Sequence, residues 1–64
     1  MSNNMHAVDR ALVDSVQEHC QKAKMEIESI QRLLMDMGMY EDIEQLGAAF
    51  MIVNETWVKM NQER

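Results

Sequence analysis

The stretch Met35-Asp36-Met37-Gly38-Met39, in a chain with eight methionines, puts three thioethers within five residues. Thioethers are soft ligands that suit Cu(I), and Met-x-Met spacing delivers two of them to one ion where the backbone is extended. On a helix the same spacing sends Met35 and Met37 about 200° apart, so they cannot converge. The bland reading is a turn whose methionines fill a core. His19 and Cys20 form a second candidate set, with His6 earlier in the chain. Zinc takes three or four ligands, so such a site would need two copies to pool their pairs. A soft-metal (Cu or Zn) binding or sensing protein is therefore one alternative function, but no metal site and no cofactor are expected.

Nucleophilic catalysis by Cys20 would need an aligned base and a third group to orient it. His19 points about 100° away from Cys20 on a helix, and no glycine-rich loop supplies an oxyanion nest. The chain reads as a non-enzyme. The remaining titratable cluster is Asp36, Glu41, Asp42 and Glu44, with no lysine or arginine between Arg32 and Lys59. An acidic tip of this kind steers a protein toward a basic partner surface.

The elements that position these residues follow from size and periodicity. Sixty-four residues make a single domain, 1–64, near the lower limit at which one chain buries a sufficient core. Cys20 is the one cysteine, so no disulfide supplements that core, and a reducing, cytoplasmic setting is expected. Without proline and with glycine only at 38 and 47, the chain favours long helices. No window has the run of apolar residues that a membrane span requires, and the first ten residues lack signal-peptide character. A net charge of −5 speaks against binding nucleic acid, which rests on clustered basic residues.

Val8, Leu12, Val16, Cys20, Ala23, Ile27, Ile30, Leu34 and Met37 recur in steps of three and four, and Arg10, Asp14, Gln17, Gln21, Glu28 and Arg32 occupy the opposite side. This is an amphipathic helix over about 5–37, with 1–4 as tail and Asn3 or Asn4 as the cap. Glu18 with Lys22 and Glu28 with Arg32 are well-oriented pairs four residues apart. Met39, Ile43, Leu46, Phe50, Val53, Trp57 and Met60 define a second helix over about 40–62, with 63–64 frayed. Tyr40, Gly47, Met51 and Val58 widen its apolar arc beyond what one neighbour covers.

Gly38 suits the left-handed residue that ends a helix, with Leu34 and Met39 in contact across the turn. The expected fold is all-α, an antiparallel two-helix hairpin with a tight turn at Gly38, dimerising into a four-helix bundle. Pairing about Gly38 makes residues whose numbers sum to about 77 face each other, setting small Cys20 and Ala23 against large Trp57 and Val53. The longer first helix then overhangs the second. Met5, Val8, Leu12, Val13 and Val16, together with Tyr40, Met51 and Val58, become the expected partner or dimer surface.

In architecture and length the chain is similar to the plasmid-encoded repressor-of-primer hairpins, which dimerise and bind RNA. The likeness lies in topology, with no shared motif, and the acidic charge argues against carrying RNA binding over. The expected function is a regulatory or protein–protein interaction module that self-associates and binds a host or regulatory protein, as phage- or plasmid-type accessory proteins do. A second alternative is a dimerisation subunit of a larger complex.

Overall fold

A computed structural model describes residues 9–63. Helix α1 covers Arg10–Met37 and helix α2 covers Tyr40–Gln62. They pack side by side as an antiparallel hairpin. Among the described residues there are no cis peptide bonds, and the one residue with positive φ is Gly38.

The first helix begins later than its apolar period suggests. Asp9 has an extended backbone (φ −71°, ψ 113°), and its carboxylate accepts a hydrogen bond from the Ala11 N–H at 2.9 Å. A side-chain oxygen at this position satisfies one of the donors that a helix start leaves unpaired. The apolar spacing runs through Asp9 without interruption, so periodicity did not mark this boundary, whereas the cap does. Asn3, Asn4, Met5 and Val8 lie outside the described residues.

The turn is the one expected. Gly38 adopts φ 74° and ψ 21°, its N–H donates to the Met35 carbonyl at 3.0 Å, and the Met39 N–H donates to the Leu34 carbonyl at 3.0 Å. This pair of bonds is the Schellman arrangement, which satisfies carbonyls that the helix end would otherwise orphan. A side chain at Gly38 would meet nothing within 4 Å, so its constraint is backbone conformation alone. Helix α2 starts without a side-chain cap at Met39; Glu41 and Asp42 in its first turn and Lys59 in its last complement the helix dipole.

The seam between the helices differs from the expected one on the α1 side. Its α1 residues are Val13, Gln17, Cys20, Lys24, Ile27, Gln31 and Leu34, all buried or half-buried. Cys20, Ile27 and Leu34 were expected there. Gln17, assigned to the outer side, is 7% exposed, while Leu12 is 63% and Ile30 42% exposed. The α1 face is thus turned toward the residues that follow the apolar row.

The reason lies in what α2 offers. Gln17 Nε2 donates to the Trp57 carbonyl (3.2 Å) and lies 3.5 Å from Asn61 Oδ1. Lys24 Nζ donates to Asn54 Oδ1 (2.9 Å), and Gln31 Nε2 donates to the Ile43 carbonyl (3.0 Å). The Lys24 ammonium also stands 4.8 Å from the centre of the Trp57 ring and 5.9 Å from that of Phe50, within cation–π range. Each polar head finds a partner while its stem covers apolar surface. Gln17, Lys24 and Gln31 recur every seventh residue and alternate with Val13, Cys20, Ile27 and Leu34, which share that spacing. Polar and apolar layers therefore succeed each other along the hairpin, and the polar ones fix its register.

The result is one thin layer. Its principal extents are 54 × 17 × 13 Å, and its radius of gyration is 15.5 Å, against about 11 Å for a globular domain of this length. Among the described residues no side chain is fully buried, and Val13, at 4%, is the one apolar residue that counts as buried.

Candidate interaction surface

Among the described residues the candidate metal ligands and the thiol do not come together. Among the described residues no three His, Cys, Asp or Glu side chains come together in a way that could hold a metal ion. Cys20 is a half-buried free thiol in the seam, and its neighbour His19 is exposed. Met35 and Met37 fall on opposite flanks of α1, as helical spacing requires. What the fold presents instead is surface.

Two right-handed helices running in opposite directions place the residue before each seam position on one common flank, and the residue after it on the other. The preceding residues on α1 are Leu12, Val16, His19, Ala23, Glu26, Ile30 and Leu33, continued by Met37. On α2, where Ile43, Phe50, Asn54, Trp57 and Asn61 meet α1, they are Asp42, Leu46, Ala49, Val53, Thr56 and Met60. These two rows lie side by side along the hairpin with no lysine or arginine among them. Their α1 members other than Ala23 are exposed, and the α2 members other than Thr56 are half-buried, so the flank is apolar except at His19, Glu26, Asp42 and Thr56. Leu33, also exposed, extends the α1 edge.

The opposite flank is mixed. It carries Glu28, Arg32 and Met35 from α1 and Tyr40, Glu44, Met51 and Val58 from α2. Gly47 lies at the seam itself, where a Cβ would meet Gln31 Nε2 at 3.7 Å. A surface depression of about 310 Å³, lined by Glu28, Gln31, Arg32, Met35 and Ile43, opens on this side. Apolar and ionic groups alternate here, so water solvates the face better than it does the other.

The residues expected to form an interface therefore separate into three groups. Leu12 and Val16 belong to the apolar flank. Tyr40, Met51 and Val58 belong to the mixed one. Val13 is enclosed within the hairpin, because the seam lies one residue further along α1 than the apolar row; Met5 and Val8 lie outside the described residues. Asp36, Glu41, Asp42 and Glu44 do gather at the hairpin tip, Asp42 half-buried and the others exposed. Of the expected ion pairs, Lys22 Nζ sits 3.9 Å from Glu18 Oε2 with both side chains well exposed, which makes it a weak contact.

Sequence reasoning missed Gln17, Lys24 and Gln31. Their signal was present as a strict seven-residue repeat of long polar side chains, which apolar periodicity alone does not register. No described helix is long and apolar enough to cross a membrane. Comparison with protein-family models, curated proteins and solved structures finds no match to the chain.

Proposed function

We propose that the protein is a non-enzymatic interaction module that self-associates, as a homodimer or larger helical assembly, and works by binding another protein in the cytoplasm. The carrying observation is the row of exposed apolar residues, Leu12, Val16, Ile30, Leu33 and Met37, on a hairpin that fully buries no described side chain. Apolar patches of such extent mark sites of protein contact. A helical domain ordinarily closes its core between two layers, and this chain supplies one.

The mixed flank, with Tyr40, Met51 and Met35 among charged groups, suits a second protein. Flexible methionine side chains adapt to a partner's shape, and polar groups set its orientation. The acidic tip adds attraction for a basic surface. Regulation by docking, without chemistry, is the activity this arrangement supports.

Sedimentation velocity at micromolar concentration, paired with affinity capture from the native cell, tests the reading. The expected result is a species heavier than one chain and a captured protein whose proportion varies with conditions; a protein held in constant proportion would instead mark a dimerisation subunit of a larger complex. A helical monomer that retains no partner is the contrary result.

A further inference from the structure

We infer that the mixed flank is a docking groove for a cationic amphipathic helix of another protein, which completes a three-helix bundle with the hairpin. This rests on the interaction reading above and names the class of partner.

Charge sets this flank apart. The residues that follow the seam positions include five of the chain's eleven carboxylates, Asp14, Glu18, Glu28, Glu44 and Glu55, and one of its six lysines and arginines, Arg32. Among the described residues no cation pairs with Glu28, Glu44 or Glu55, and the pair from Lys22 to Glu18 spans 3.9 Å between well-exposed side chains. The excess negative charge is therefore not cancelled from within the hairpin.

Apolar anchoring points lie between these charges. Met25, Met35, Tyr40, Met51 and Val58 are exposed by between 41% (Val58) and 64% (Tyr40), and the depression of about 310 Å³ reaches half-buried Ile43 and Gln31. A helix laid in a groove uses this arrangement, with an apolar residue at every third or fourth position entering it and flanking side chains meeting the rim. Three of the five anchoring points are methionines, which adapt to the shape that enters. The groove runs alongside α2 for about 35 Å, the length of a helix of roughly 23 residues.

The same charge excludes other occupants. A second copy on a two-fold axis would set these carboxylates against their own equivalents. Its other flank carries no lysine or arginine, and its Lys24 is held in the seam by Asn54. Nucleic acid and anionic lipid carry the chain's own sign of charge. A helix with lysine and arginine beside its apolar stripe complements both the rim and the anchoring points. Arg32, next to Glu28 on the depression, is the one opposing charge, so its removal should strengthen docking.

Fluorescence anisotropy with a labelled peptide of about 20 residues, leucine and lysine in amphipathic helical spacing, tests this at physiological salt. The control peptide has the same composition with leucine and lysine alternating. The full-length chain is expected to bind the helical peptide at micromolar concentration and the alternating one at least about tenfold more weakly. Glu28→Lys and Glu44→Lys should each weaken binding about fivefold and Arg32→Gln strengthen it about twofold. Glu26→Lys, the same change of charge on the other flank, should alter it by less than about twofold, since screening acts over about 8 Å. Met51→Ala, which leaves charge untouched, should weaken it about threefold. Equal weakening by Glu26→Lys and Glu28→Lys, or equal affinity for the two peptides, reduces the effect to general attraction and overturns the groove. Loss of self-association in Glu28→Lys or Met51→Ala gives the groove to a second copy and also overturns it. No peptide binding by a chain that self-associates or retains a captured protein overturns this inference and leaves the interaction reading standing, whereas a wild-type monomer that binds neither overturns both.

Discussion

The seam of α1 and the row just beside it invert the usual distribution of polarity. Facing α2 are Gln17, Lys24 and Gln31, interleaved with Val13, Cys20, Ile27 and Leu34. Facing out are Leu12, Val16, Ile30, Leu33 and Met37, exposed along the same helix. A hairpin selected to stand alone would gain by rotating α1 and burying the second set, at about 25 cal/mol per Å² of apolar surface removed from water. The polar set holds its place because its hydrogen bonds to Trp57, Asn54 and Ile43 occur at one register only. On the proposed reading, the inner set gives specificity and the outer one adhesion.

The sharpest way to break that division is to place the same charge on each side of it. Ile27→Asp buries an unpaired carboxylate in the seam and is expected to cost about 3–5 kcal/mol, enough to unfold a domain of this size; a circular-dichroism melt checks it. Ile30→Asp, three residues on, is expected to keep its helix content and lose association, read by sedimentation. Equal loss of helix in the two variants would erase the distinction between seam and flank.

A smaller effect isolates the polar layers. Gln17→Ala removes the bond to the Trp57 carbonyl and should lower stability by about 1–2 kcal/mol in denaturant titration. Lys24→Met keeps the stem while discarding both the Asn54 bond and the ammonium over Trp57, and should cost about 1 kcal/mol. If either substitution proved stabilising, the inner set would not be what holds register.

The glycines give effects of opposite sign. Gly38→Ala should cost about 1 kcal/mol through backbone strain, because space is open around it. Gly47→Ala, in the middle of α2 and with its nearest neighbour the flexible end of Gln31, should raise stability by about 0.5–1 kcal/mol. The smallest change belongs to the exposed pair: Glu18→Gln should shift the melt by less than about 0.5 kcal/mol.

Much of the fold was legible because its punctuation is local. Gly38 with Leu34 and Met39 announced the turn, and the span of α2 followed from Met39 to Met60. The face of α1 was less legible for a definite reason. Its apolar residues spread over a wide arc, and periodicity finds the middle of that arc, not the part that meets α2. The deciding groups were long polar side chains whose partners, Asn54 and the Trp57 and Ile43 carbonyls, are remote in sequence. The start of α1 escaped for a similar reason, since one Asp9 side chain ends what the spacing would have continued. The surface was readable as composition, while its division into two flanks needed the seam.

The most direct test of the central claim, that one layer of two helices is incomplete without a second, is the thermal midpoint of the wild-type chain across a hundredfold range of concentration. Coupled folding and association raises the midpoint with concentration, and Ile30→Asp should flatten that dependence and lower the midpoint. A wild-type midpoint that stays constant throughout would show a self-sufficient hairpin and contradict the account.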